Sequence, residues 1–477
     1  MPLQQQQQYE RGKQLRAQAP LASHSDVGNV QRNVLDLIKA SSQGRIVRLV
    51  PLRYGRMLAS PFSFFRGSAM LQAHDLAATP FSGVIQQICG DAHLANFGGF
   101  ASPERTLLFD LNDFDETHPG PWEWDIKRLV ASFVLASRTS GFAAHVADDI
   151  VYRLVSSYQR WMLEYSKKGA MQIWYDRISY ERLLDHIDDQ NARKVLKKEM
   201  KKALNRTHER LLPKIGKKVD GYWRINDALP SLFHIFEDNR IFGPEEREIL
   251  LGNKQALAEQ LFSEYLNTIS ISHRHLLDRF TTQDLVCKIV GVGSVGTRCL
   301  AQLLSDEQDQ PLFLQIKEAR ASVLAPYVPH TAISSYVNQG QRVVVGQRLM
   351  QAFSDIFLGW SNAGGHHFYF RQLRDMKISP AIERYNPTIM GLYGDLCGWV
   401  LARAHARSGG FASEIAGYIG MDDEFATALV RYANAYSAQC EKDYEVFKSA
   451  CKTGRLFAQS EDEFLNALDK TKLKIKR

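Results

Sequence analysis

CGDAHLANFGGFASPERTLLFDLNDFD, residues 89–115, sets an aspartate (Asp91), an amide five positions on (Asn96) and, fourteen positions later, the first of a run of acidic groups (Asp110) around one strand-rich turn. Phosphoryl transfer needs such a set: a carboxylate to orient the attacking hydroxyl, an Asn to hold a metal, and a second Asp for metal on the nucleotide phosphates. Asp91, Asn96 and Asp110 fill those roles in this reading. Asp, Asn and Gly also crowd ordinary turns, because they tolerate unusual backbone angles and bond their own backbone. The apolar run Thr106 to Phe109 argues for more than a turn. It delivers Asp110 at its end, and Asn112, Asp113, Asp115 and Glu116 follow. Carboxylates gathered this closely repel one another unless a cation or an arginine lies among them.

The second informative stretch begins at residue 284. Asp284 to Val290 is strand-like, GVGSVG occupies 291–296, Thr297 to Leu304 is strand-like again, and the polar SDEQDQP precedes the strand Leu312 to Lys317. This is the pattern of an antiparallel meander. A dinucleotide fingerprint would set the glycines between a strand and a helix, with an acidic residue about 20 positions on; here a strand follows and the residue that arrives is basic. Gly291, Gly293 and Gly296, with Ser294 between them, would let a hairpin backbone close over phosphates. Lys317 on the third strand would reach those phosphates as a point charge. The plain alternative is a surface hairpin with a lysine reaching solvent.

At 477 residues, 45% hydrophobic and 23% charged, the chain has an ordinary globular composition and enough length for two or three lobes. A net charge of +7 leans toward anionic ligands. Eleven Lys or Arg against two Glu between Arg193 and Lys218 read as a solvated helix face, and nucleic acid is not the expected partner. The six cysteines show no metal-ligand spacing and are expected as buried thiols. No apolar run approaches the roughly 20 residues of a membrane-spanning helix, so a cytoplasmic location is expected. Trp122 to Arg138 reads as an amphipathic helix behind the acidic run, residues 145–280 as mostly helical, Val343 to Phe357 and Leu392 to Ala406 as helices, and His367 to Leu373 as a strand.

The chain resembles a bacterial family known as domain of unknown function 2252. The resemblance rests on SPFSFFRG (60–67), CGDAHLANFG (89–98), FDLNDFDET (109–117), GPWEWDIKRL (120–129), GVGSVGTR (291–298), LFLQIKEA (312–319), GQRLMQAFSDIFLGW (346–360), FYFRQLRDMK (368–377) and ARAHARSG (402–409). That family carries no assigned activity. A more distant resemblance, of GDAHLAN to the HGDxHxxN loop of aminoglycoside and choline phosphotransferases, implies chemistry. It implies Asp91 as catalytic base, His93 as the motif's second histidine, Asn96 as a magnesium ligand, and Asp110 or, in competition, Asp113 as the metal-binding aspartate. Cys89 stands where the motif's first histidine would be. LFLQIKEA is similar to the third strand of a kinase, whose lysine is normally held by a Glu from the next helix. Between Glu318 and Asp355 this chain has no acidic residue, which leaves Gln347 or Asp355 to orient Lys317.

The elements of the kinase plan occur in cyclic rather than linear order. The expected fold is therefore α+β: a two-lobed, protein-kinase-like architecture, circularly permuted, with a small antiparallel sheet lobe and a large, mostly helical lobe. Residues 1–29 are expected as a disordered leader, 30–280 as the helical lobe with the catalytic loop and metal-binding hairpin, 281–375 as the β lobe, and 376–477 as helices completing the large lobe. The expected function is an ATP- and Mg-dependent phosphotransferase acting on an unidentified acceptor, with nucleotidyl transfer fitting equally. The alternatives are a nucleotide-binding pseudokinase and a metal-dependent phosphoesterase using Asp91, His93 and Asp110. Asp125 and Arg128 are expected as an ion pair at a helix start, or else as braces of the catalytic loop.

Overall fold

The computed structural model describes residues 2–234, 254–289, 291–373 and 376–475. Residues 235–253, which the sequence reads as helical, and Val290, the last residue of a predicted strand, lie outside them.

Twelve strands occur in the described residues. Strands β1 (Ile85–Ile88), β2 (Phe97–Ala101), β3 (Leu107–Leu111) and β4 (His118–Pro121) form two small antiparallel pairs, β1 with β4 and β2 with β3. Strands β5 (Gly216–Val219) and β6 (Tyr222–Ile225) form a further hairpin. The main sheet contains β7 (Leu232–Phe233), β8 (Thr281–Lys288), β9 (Cys299–Ser305), β10 (Pro311–Ala319), β11 (Gly359–Ala363) and β12 (His366–Gln372), in the order β11-β12-β10-β9-β8-β7. Every pairing in it is antiparallel. The meander expected across the glycine turn is present, and β12 adds on the far side of β10.

Side chains alternate across β10, as strand geometry requires. Leu312, Leu314 and Ile316 enter one apolar core with Tyr265, Phe357 and Phe370. Phe313 enters another with Leu212, Ile225, Val286 and Leu303. Lys317 therefore lies in phase with Phe313, not with the leucines. The boundary of the β lobe differs from the sequence expectation: Leu212, Ile225, Phe233, Tyr265 and Leu277, all from the stretch assigned to the helical lobe, pack with the sheet. Ile46, Leu49 and Leu52 from early in the chain and Phe464 and Leu468 from its end close the same core. Helical spacing alone could not say which lobe those apolar faces cover.

The larger core gathers the helices Glu123–Thr139, Ala144–Ser166, Pro387–Gly409, Ala412–Ile419 and Asp423–Lys452. The helix read as amphipathic behind the acidic run is instead buried from Glu123 through Ser137, because neighbours cover it on every side.

The leader expectation is corrected. Leu3–Leu15 is a helix, and Ala19, Leu21 and His24 beyond it are buried. A low-complexity Gln run suggests disorder, but two glycines let this helix dock. A Cβ at Gly12 would lie 2.0 Å from the Glu414 carbonyl oxygen, and one at Gly417 would lie 2.0 Å from that of Tyr9. Arg16 Nε donates to the Tyr418 carbonyl at 2.7 Å, and Arg11 pairs with Glu414 at 3.2 Å. Gly12→Val should lift the helix, costing about 1–3 kcal/mol and exposing Lys13 and Arg16 to trypsin. An unchanged cleavage rate would show that the docking contributes little.

Candidate active site

Strand β1 runs into Cys89 and Gly90, where the chain turns sharply. Gly90 has φ of 85°, and a Cβ there would lie 2.2 Å from the Glu116 carbonyl oxygen. The turn is clamped from behind: Asp125 accepts the N–H groups of Cys89 at 2.7 Å and Gly90 at 2.8 Å. His405 Nε2 lies 3.2 Å from Asp125, and its Nδ1 lies 2.9 Å from the Tyr158 hydroxyl. Arg128 Nε donates to Asp91 Oδ1 at 2.7 Å, while its other nitrogens donate to Gln72 and to the Phe65 carbonyl. Asp125 and Arg128 thus brace the loop and are not paired with each other. Cys89, where a histidine was the motif's choice, has its thiol pushed well up by burial and donates Sγ to the Asp113 carbonyl.

Past the turn, Asn96 Nδ2 donates to the Asp91 carbonyl at 2.6 Å, and Leu94 N–H to Ser132 Oγ at 2.9 Å. Burial raises the Asp91 carboxyl above the usual carboxylate range, against the pull of Arg128 and Arg66. His93 Nε2 is 3.8 Å from Asp91 Oδ2. Burial, then Arg66 and Arg128, hold its imidazole well below the ordinary value, so it is neutral beside the carboxylate.

The β2–β3 hairpin sets Asn112 beside Asn96, its N–H donating to the Asn96 carbonyl at 2.8 Å, and separates the two metal candidates. Asp110 is turned into the core. Its Oδ1 accepts Arg403 Nη2 at 2.6 Å and its Oδ2 the Ala352 N–H at 2.9 Å; the two side chains are 1% and 0% exposed. The expectation of Asp110 as metal ligand is corrected by that burial. Asp113 is 34% exposed and faces the cleft, 3.8 Å from Lys317 Nζ.

Lys317, 2% exposed, donates to Asp115 Oδ2 at 2.5 Å, and the Tyr369 hydroxyl donates to Asp115 Oδ1 at 2.7 Å. Burial opposes the ammonium charge, yet Asp113 and Asp115 hold it well above the ordinary lysine value. Against the same burial, Lys317 keeps the Asp115 carboxyl below the usual range. The partner expected from the next helix is absent. Gln347, on the helix Gln339–Met350, donates to Gln351 instead. From the same helix, buried Arg342 holds the acidic loop through the carbonyls of Asp115 and Thr117. Asp355 makes its contacts elsewhere, with the Phe357 N–H, and burial pushes its carboxyl up to about 6. Sequence reading named Asp115 without giving it a role. The available signal was charge balance: a lysine on an apolar strand with no acidic residue in the helix that follows it, between Glu318 and Asp355, and a surplus of carboxylates at 110–116.

Residues 291–296 form the turn between β8 and β9, with Gly291 and Gly296 at φ of 66° and 88°. Arg56 donates to the Gly291 carbonyl and Arg45 to that of Val295, each from the segment that precedes the loop bearing Asp91. Ser294 Oγ reaches Asp115 at 3.4 Å.

Two cavities meet here. The larger, about 800 Å³, is lined by Gln315, Lys317, Gln347, Asp355 and Arg371 and extends to Leu373 and Pro380 after β12. The smaller, about 300 Å³, holds Asp91, His93, Asp115 and Gly293. Arg66, Asn96, Asp113, Gly291 and Ser294 line both. Of the predicted site residues, only Asp110 and Gly296 line neither. The donor set at the junction fits magnesium. Asn96 commits its Nδ2 to Asp91 and leaves Oδ1 available, Asp113 offers a carboxylate, and Mg²⁺ takes few protein oxygens alongside water and phosphate. Among the described residues, no group of three or more His, Cys, Asp or Glu is arranged to hold a metal alone. No described helix is long and apolar enough to cross a membrane.

The profile of a family described as uncharacterized protein conserved in bacteria, DUF2252, matches residues 45–450. No curated protein and no solved structure matches the chain.

Proposed function

The chain belongs to the bacterial DUF2252 family, and we propose that it is an ATP- and Mg-dependent phosphotransferase on a circularly permuted kinase plan. One observation carries this reading: Lys317 lines only the larger cavity, Asp91 only the smaller, and Asn96 and Asp113 stand where the two join. That is a donor side, an acceptor side and a metal site between them. The permutation is supported by Arg403 and His405 on the helix Pro387–Gly409, which brace Asp110 and Asp125 although they follow the loop by some 300 residues.

In this mechanism Lys317, held by Asp115, anchors the nucleotide phosphates, and Gly291 and Ser294 cover them. Magnesium bound at Asn96 and Asp113 would neutralise phosphate charge. The acceptor oxygen bonds to the γ-phosphorus as the bond to the β–γ bridging oxygen breaks. The electron pair leaves with ADP and the hydroxyl proton passes to Asp91. The phosphoesterase reading loses support because Asp110 points away from Asp91 and His93. The nucleotide-binding pseudokinase keeps one point in its favour, the guanidinium of Arg128 held against Asp91.

A thermal-shift titration with Mg·ATP tests the proposal. At a hundredfold excess over Kd, a ligand that binds only the native state stabilises it by about 2.7 kcal/mol. That stabilisation should require Mg, vanish in Lys317→Ala and Asp113→Ala, and persist in Asp91→Asn. No shift in the wild-type protein at millimolar Mg·ATP would remove the proposal.

A further inference from the structure

The smaller cavity carries more positive charge than the mechanism uses. Arg45, Arg53, Arg66 and Arg320 line it, the first three from residues 45–66 and the fourth from just after β10. None of the four is paired with a carboxylate there. Arg45 donates to the carbonyls of Ser41 and Val295. Arg53 donates to the hydroxyls of Ser41 and Ser42 and to the Gly67 carbonyl. Arg320 donates to the carbonyls of Ser41 and Gln43. Arg66 Nε is buried with no partner. Of the carboxylates that line the cavity, Asp91 is engaged with Arg128, Asp115 with Lys317, Glu116 with the Val323 N–H and Glu318 with Arg298, and Asp113 is the metal candidate.

The hydrogen bonds that Arg45, Arg53 and Arg320 make go to neutral oxygens, Arg53 Nε and Arg66 Nε are buried without a partner, and the carboxylates of Asp91, Asp113, Asp115 and Glu116 act on Arg45, Arg53 and Arg66 only through space, not by direct pairing. Burial, and after it the charges of Arg53 and Arg320, push Arg45 well below the usual guanidinium value, as expected for like charges sharing a pocket. Guanidinium forks match phosphate and carboxylate oxygens in geometry as well as in charge. A volume of about 300 Å³, room for about ten waters, suits a small molecule and not a folded partner.

We propose that this cavity is the acceptor subsite, and that the acceptor is a small hydroxyl compound bearing an oxyanion, phosphate or carboxylate, gripped by Arg66 and Arg320 while its hydroxyl faces Asp91. The acceptor role rests on the phosphotransferase reading; the oxyanion site does not. Arg66 and Arg320 are partly exposed, so replacing them leaves no buried charge without a partner.

The test is a thermal-shift titration of the full chain with inorganic phosphate and, separately, with malonate at constant ionic strength. Wild type, Arg66→Gln and Arg320→Gln are compared, each with and without saturating Mg and a non-hydrolysable ATP analogue. Stabilisation by either anion is expected, weakened at least tenfold in apparent affinity in both arginine variants and additive with the nucleotide. Which anion acts says which oxyanion the acceptor bears. Absence of any anion effect, or an effect that survives both arginine substitutions, overturns the site. Loss of the anion effect when the nucleotide analogue binds assigns the arginines to the donor and overturns the acceptor role. Arginine-dependent anion binding in a protein that binds no nucleotide would overturn the phosphotransferase reading while supporting the oxyanion site.

Discussion

Asp91→Asn is expected to slow phosphoryl transfer by about 10²- to 10⁴-fold, the usual contribution of a positioned general base, while Mg·ATP binding stays close to wild type. The substitution keeps the shape of the side chain and an oxygen for Arg128 Nε, now 2.7 Å from Oδ1, so the loop has no cause to move. In the proposed mechanism, what it removes is the capacity to take the acceptor proton. The pH dependence follows with a definite sign. Burial raises the Asp91 carboxyl, outweighing Arg128 and Arg66. Protonation, and with it loss of rate, therefore begins at a higher pH than for an ordinary aspartate. The acid limb of the wild-type pH–rate profile should lie above the usual carboxylate range and should be missing from the residual activity of Asp91→Asn. A variant with full rate and an unchanged acid limb would rule out the base and favour the pseudokinase.

Arg403→Met is expected to destabilise the protein by about 3–5 kcal/mol, the cost of leaving one member of a buried ion pair uncompensated. Asp110 and Arg403 are 1% and 0% exposed and meet at 2.6 Å, with the Leu111 and Ala352 N–H groups also donating to the carboxylate. Since a whole domain is stable by only about 5–15 kcal/mol, the urea midpoint should fall steeply. Adding Asp110→Leu should restore part of the loss, because no charge is then stranded, although the two backbone N–H groups lose their acceptor. An Arg403→Met variant nearly as stable as wild type would show that the buried pair contributes little.

Several parts of the site were legible because their signals are local. The loop at 89–98 and the strand–turn–strand–lysine pattern at 284–317 depend on turn chemistry and on alternation over a few residues. Asp91, Asn96, Gly291, Ser294 and Lys317 all line one or both of the two cavities. Asp110 failed by contrast. Spacing counts residues along a hairpin, but a strand sends alternate side chains to opposite faces, and the face of Asp110 is the one that meets Arg403 from 293 residues away. Asp115 was passed over for a related reason. Its partner Lys317 lies 202 residues on, and no periodicity links them. The leader was misread because glutamine-rich composition speaks of the isolated chain, whereas Gly12 and Gly417 act only once two helices touch.

The sequence by itself determined the antiparallel glycine-turn sheet, the loop bearing Asp91 and Asn96, and membership of the family, all of which rest on short-range pattern. Tertiary structure alone decided which aspartate faces the cleft, which acid holds Lys317, and that Arg320 joins three arginines of residues 45–66 in one small cavity. Burial and charge pairing depend on what the rest of the chain brings alongside, and that is set by packing rather than by position in the sequence.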